Sequence, residues 1–305
     1  MRIIAETRIP VKIKFSLKIL LVIIIAILFI SIFYTGNVFA DYTVKEKKDI
    51  PYVTGSKSHP EKHKLNVFYP EGKKNCPVYM FIHGGGWKKG DRKLYDKLGK
   101  TFARKGIVAV IISYRLSPDY RHPAHVQDAA SAFAWTYKNI KKYSGDPGNI
   151  FVSGHSAGGH ISALLALDGQ YLKAHGLSPK NIRGVIPISG LYKIAFPTPG
   201  KGISRRDKKL MPVFGKDQSK WDSASPITYV RKDVPPFLIL TGEKEPRFVI
   251  YQAKLFCNAL KRKGANVWKK EIPGKNHITE IRSIGRSGDK TSPIVIKFIN
   301  EESKN

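Results

Sequence analysis

Cysteine is nearly absent: Cys76 and Cys257 are the two in 305 residues. Two cysteines cannot build a disulfide framework, and neither has the neighbours of a metal site. In an oxidising compartment they could pair, but nothing in the spacing demands it, and two free, partly buried thiols are the other expectation. Acids are scarce as well, 23 against 53 Lys and Arg, for a formal net charge of +30. That excess suits peripheral association with an anionic membrane or envelope polysaccharide. It does not make a nucleic-acid binder, because the lysines are spread along the chain and no binding motif accompanies them. A lysine-rich composition without a specific partner explains the charge equally well. No internal repeat or Ser/Gly-rich linker divides the chain, and a hydrophobic content of 42% supplies one large core rather than two small ones.

One long apolar run is present, Ile19–Tyr34, whose only polar member is Ser31. Arg2, Arg8, Lys12, Lys14 and Lys18 precede it, and Val38 and Ala40 occupy A-x-A-like places after it. Residues 1–40 therefore read as a signal peptide cleaved after Ala40, with an uncleaved membrane anchor over residues 19–34 as the alternative. Either way, residues 41–305 are expected to be exported, periplasmic or secreted, and without the leader their net charge is +26.

The chain is organised around one later stretch. The apolar run Ile150–Val152 leads into Gly154-His155-Ser156-Ala157-Gly158, and Ile161, Leu164, Leu165 and Leu167 follow at helical spacing. Strand, sharp turn and helix is the setting of a G-x-S-x-G nucleophile elbow. Gly154 and Gly158 are needed where the turn is too tight for a Cβ. Ser156 then stands clear of the sheet, with the Ala157 N–H at a helix N-terminus, aimed at developing negative charge.

Upstream, Pro77–Ile82 is continuously apolar, as in a strand buried on both faces, and it ends in His83-Gly84-Gly85-Gly86-Trp87. Three glycines after a buried strand leave main-chain N–H groups uncovered, which is how an HGGG-type oxyanion hole is made. The expected donors are Gly85, Gly86 and Ala157. Short strands are expected near Ile50–Val53 and Lys64–Tyr69, then a helix around Leu94–Lys105 and a buried strand over Gly106–Tyr114. A helix over Val126–Ile140 and a turn at Gly145–Gly148 lead to the elbow strand. This alternation predicts an α/β domain with a parallel sheet covered on both faces.

Asp128 and Asp146 are the acids nearest the elbow in sequence. A helix position and a turn at the N-terminal end of a strand put both away from the carboxyl ends where catalytic loops lie. Both are expected to be structural, partnering Arg115 or capping turns. His122, His125, His155 and His160 match no metal-ligand spacing, so no metal or cofactor is expected. After a buried strand at Ile182–Ser189, residues 190–230 carry prolines, glycines, Trp221 and the run Arg205-Arg206-Asp207-Lys208-Lys209. An insertion here is expected to form a lid, and the basic run a solvated face. The strand Pro236–Thr241 precedes Glu243 and Glu245, a helix over Phe248–Lys263 follows, and the strand Asn266–Ile272 leads to His277. An acid after one strand and a histidine after the next keep the order serine, acid, histidine. His277 is the only histidine after residue 175; the acid is Glu243 or Glu245.

Together these motifs resemble an α/β-hydrolase-fold serine esterase of the HGGG-bearing branch, similar to hormone-sensitive-lipase relatives and to bacterial feruloyl and acetyl-xylan esterase-like proteins. Ser113–Leu116, Pro123 with Asp128, Gly145–Pro147, Ser225-Pro226 and Gly274 with His277 extend the resemblance over most of the domain. It implies an α/β-hydrolase fold, a mostly parallel central sheet with helices on both faces and a small lid insertion. It implies Ser156 as nucleophile and His277 as base. The family's acid lies three residues after the strand-end glycine; that place holds Glu245 where the family usually has Asp. The implied activity is hydrolysis of short-chain or aryl esters of small molecules. An arylformamidase-like amidase would use the same machinery. A non-catalytic binding protein of this fold would have no need of HGGG, elbow and His277 together.

Overall fold

The computed structural model describes residues 41–194 and 205–304. The leader expected over residues 1–40, and residues 195–204 of the expected insertion, lie outside the described residues. In chain order the elements are β1 (Val44–Pro51), β2 (Lys64–Pro70), β3 (Cys76–Ile82), α1 (Asp96–Arg104), β4 (Val108–Ile112), α2 (Ala124–Asn139), β5 (Gly145–His155), α3 (Ala157–Leu167) and α4 (Gln170–Lys173). Then follow β6 (Gly184–Ile188), α5 (Arg205–Phe214), β7 (Phe237–Gly242), α6 (Arg247–Arg262), β8 (Val267–Ile272), α7 (Thr279–Arg282) and α8 (Thr291–Glu302).

The eight strands form one sheet in the order β1-β2-β4-β3-β5-β6-β7-β8. β2 is antiparallel to both its neighbours, and every pair from β4 through β8 is parallel. The apolar strands sort their side chains by parity, because successive residues point to opposite faces. Val78, Met80 and Ile82 of β3 join one core with Phe133 of α2, Leu164 of α3 and Phe256 of α6. Tyr79 and Phe81 point the other way, into a second core with Phe102 of α1 and Phe298 of α8. Tyr79 stacks on Phe102 at 4.2 Å between centroids, a pairing that adds about 1 kcal/mol to what burial gives.

The chain leaves β3 toward β4 on one side and later returns as β5 on the other. The carboxyl ends of β3 and β5 therefore flank the switch point of the sheet, the place where α/β folds open a crevice. The glycine run leaves β3 there, and Ser156 leaves β5.

Two boundaries differ from expectation. The first strand begins at Val44, because Val-Lys-Glu-Lys-Lys-Asp-Ile-Pro is an exposed edge whose charges hide any apolar alternation. Residues 145–148 do not form a separate turn but an irregular start to β5: Cys76 pairs with Gly145, yet Val78 pairs with Ile150. Asp146 closes that bulge by accepting the Gly148 N–H at 2.9 Å. Cys76 and Cys257 are both buried and unbonded to each other.

Candidate active site

The bend after β5 is as tight as its glycines require. A Cβ on Gly154 would sit 2.3 Å from the Gly158 carbonyl oxygen, and one on Gly158 would sit 2.0 Å from that of Ile82. Ser156 takes φ 55° and ψ −114°, a conformation that a non-glycine residue keeps only where its surroundings over-determine it. The Ser156 N–H donates to Ile188 of the neighbouring strand at 2.8 Å, which pins the bend to the sheet.

Three side chains then line up. The Ser156 hydroxyl lies 3.0 Å from His277 Nε2. His277 Nδ1 lies 2.9 and 3.1 Å from the two carboxylate oxygens of Glu245. Glu245 leaves the end of β7 and His277 the end of β8. The two loops are tied by the Lys244 N–H donating to the Lys275 carbonyl at 2.8 Å. Glu243, the other candidate acid, is turned away: it accepts the Gly274 N–H at 2.6 Å and holds the turn before the histidine. Burial alone would raise the Glu245 carboxyl, but hydrogen bonds from His277 and Ser189 outweigh it and hold the group below its usual range. The Ser189 hydroxyl donates to Glu245 Oε1 at 2.6 Å.

The glycine run curls over this group. Gly85 and Gly86 have φ 122° and 63°, values that favour glycine. Among the described residues the N–H groups of Gly85, Gly86 and Ala157 donate to no other group. His83 is fully buried, stacked on Tyr114 at 4.3 Å, and neutral, burial having pushed it down to about 4. Its Nδ1–H donates to the Gly84 carbonyl at 2.8 Å, and its own carbonyl accepts from the Tyr114 hydroxyl at 3.1 Å. Trp87 continues the brace by donating Nε1–H to His160 Nδ1 at 3.3 Å, while His160 Nε2–H donates to the Ala224 carbonyl at 2.7 Å.

The remaining candidates fall where the sequence pointed or close to it. Asp128 is structural: it takes the Arg115 guanidinium and backbone N–H, and lies 3.1 Å from His63 Nε2. In the insertion, α5 packs Phe214 against Trp87 and His160. Asp207 is only 4% exposed, so the basic run is not wholly a solvated face.

Glu280 and Ser189 escaped the sequence reading. Glu280, on α7, is fully buried, with Oε1 3.1 Å from Nε2 of His155, the residue before the nucleophile. Burial raises its carboxyl to about 9, and the nearby Glu245 carboxylate pushes the same way. His155 is held neutral, pushed down to about 3 by burial and by His277. The one signal in the sequence was position: Glu280 is the sole acid between Glu271 and Asp289, one helical turn past His277. His155, His277 and Glu280 each bring a ligand atom within 4.8 Å of the others. A metal there would compete with Ser156 and Glu245 for a ring whose two nitrogens they already engage.

A raised carboxyl makes stability depend on pH in one direction. Glu280 favours the fold below its ordinary value of 4.5, and that contribution is lost as pH rises through about 9. Glu280→Gln keeps the neutral shape and has no proton to lose. Thermal melts from about pH 5 to 9 should show the wild type declining relative to the variant. Parallel curves would mean that Glu280 is ionised in the fold.

Residues 65–260 match the family model BD-FAE. Esterase LipC of Mycobacterium tuberculosis is 31% identical over 239 residues, covering 75% of this chain and 59% of that protein. Esterase LipQ of the same organism is 29% identical over 256 residues, covering 79% and 59%. The chain thus spans about three-fifths of the length of these curated relatives. The crystal structure of Esterase B from Lactobacillus rhamnosis superposes with a TM-score of 0.73 at 21% identity, over 94% of this chain and 96% of that one. The fold is that of the α/β hydrolases.

Proposed function

The chain belongs to the BD-FAE family, and from that premise we propose that it is a serine carboxylesterase acting on short-chain or aryl esters. The observation that carries the reading is the unbroken line from Glu245 through His277 to the Ser156 hydroxyl, with hydrogen-bond distances between 2.9 and 3.1 Å.

The chemistry follows from where each proton sits. With Nδ1–H held by Glu245, His277 Nε2 is the acceptor for the Ser156 proton as the oxygen attacks the ester carbonyl. The oxyanion forms beside the unused N–H groups of Gly85, Gly86 and Ala157. Losing one such donor typically raises the barrier by about 3–4 kcal/mol. The imidazolium, stabilised by the Glu245 carboxylate, returns its proton to the leaving alcohol and frees an acyl-Ser156 ester. Water attacks the acyl carbon while giving a proton to the same nitrogen, and that proton passes to the Ser156 oxygen as the acid leaves. The charge that develops on His277 is matched by an acid already ionised, so no proton need pass to Glu245.

The described part of the insertion packs Phe214 against Trp87 and Trp221 against Phe214, and offers no long apolar cover, which favours short acyl chains over long ones. Hydrolysis of p-nitrophenyl acetate, butyrate, octanoate and palmitate by residues 41–305 tests this. Rates should fall as the chain lengthens. Hydrolysis of palmitate faster than butyrate would overturn the short-chain assignment, and N-formyl aromatic amides turned over faster than every ester would overturn the ester assignment.

A further inference from the structure

A cavity of about 570 Å³ opens beside the proposed nucleophile. Gly84 and Gly85 of the glycine run form part of its wall, with His155, next to Ser156, and Ile278, next to His277. A group seated there would therefore adjoin the reacting ester. Much of the remaining lining is apolar: Leu98, Ile281 and Ile284 are buried, and Leu94 and Ile278 are 74% and 47% exposed. Large apolar side chains left this open beside a concavity mark a surface that something covers.

Four cations surround that apolar lining. Lys89 and Lys97 stand on the side of the glycine run, Arg282 and Arg286 on the side of His277. The two sides touch, since a Cβ on Gly285 would lie 3.3 Å from Lys97 Cγ. No acid lines the cavity, and no ion pair engages any of the four among the described residues. General lysine richness does not account for this. Two other cation-rich hollows among the described residues each contain an acid: Glu271 meets Lys269 at 2.9 Å in one, and Asp233 stands with Arg183 in the other. Like charges brought together over apolar walls focus a positive field into the hollow. Guanidinium groups add a fork suited to carboxylate or phosphate oxygens.

We propose that this cavity is a subsite for an anionic group on the ester substrate, a carboxylate or phosphate joined to the scissile ester by a short apolar segment. The proposal rests on the esterase reading of Ser156 and names the substrate class that such an enzyme would prefer.

Two matched pairs test it, one for each side of the ester bond. On the acyl side, p-nitrophenyl hexanoate is compared with the p-nitrophenyl monoester of adipic acid. On the alcohol side, propyl butyrate is compared with phosphonopropyl butyrate. In at least one pair kcat/KM should favour the anion by roughly tenfold, as two or more modest ion pairs allow, and added salt should erode the preference. The double variant Arg282→Gln, Arg286→Gln should bring the anion-to-neutral ratio near one. Lys254→Gln, Lys261→Gln removes equal charge from α6, and there the ratio should persist. No preference in either pair, or an equal fall in both double variants, would overturn the subsite while leaving the esterase reading intact. Failure of every ester, with no labelling of Ser156 by a phosphonate, would remove that reading and the subsite with it.

Discussion

Ser156→Ala is expected to lower kcat by about a million-fold, the loss seen when the attacking atom of such a unit is removed, while the protein remains folded. The Ser156 side chain makes one contact of consequence, the 3.0 Å approach to His277 Nε2. Its unusual backbone conformation is held by the Ile188 carbonyl and by the glycines on either side rather than by its hydroxyl. Alanine therefore keeps the bend and deletes only the oxygen that attacks. Turnover of p-nitrophenyl butyrate, read beside mass-spectrometric labelling with a phosphonate, measures this. Turnover within tenfold of wild type, or a label on another residue, would displace Ser156 from its role.

The second large effect concerns the acid. Glu245→Gln is expected to reduce kcat by about ten-thousand-fold, as wrong-tautomer variants of such units do. The Ser189 hydroxyl already donates to Oε1, so a glutamine would give its oxygen to Ser189 and turn its NH₂ toward His277. Nδ1 must then accept, the ring proton moves to Nε2, and the nitrogen facing Ser156 can no longer take a proton. Glu243→Gln keeps an acceptor for the Gly274 N–H, so its kcat should stay within a few-fold, with only a neutral hydrogen bond replacing a charged one. The reverse ranking of the two variants would move the acid to Glu243.

The parts of this site legible in the sequence are those fixed by local geometry. The elbow glycines, the HGGG run and the strand-to-loop order all follow from backbone needs that a short window of residues displays. His277 was legible because it is the only histidine after residue 175. The choice between Glu243 and Glu245 was not legible from residue types. Two carboxylates stand two positions apart in the loop after β7, and only their contacts, one with the Gly274 N–H and one with His277, show which is spent on structure. Glu280 was harder still. Its role depends on α7 folding back under His155, a contact 125 residues apart in sequence that no pattern of spacing announces. The exposed start of β1 was hidden for the opposite reason: solvent on its outer side leaves no apolar alternation to read.

The proposed nucleophile, acid and base leave three different strands, β5, β7 and β8, and β8 reaches the others only by pairing along β7. A chain whose sheet has assembled as far as β6 would hold Ser156 in its bend with no base beside it. The serine would be chemically mute at that stage and become reactive only when the last parallel pairing closes. Covalent capture by a phosphonate would then report the completion of the sheet itself, which a helical signal does not distinguish.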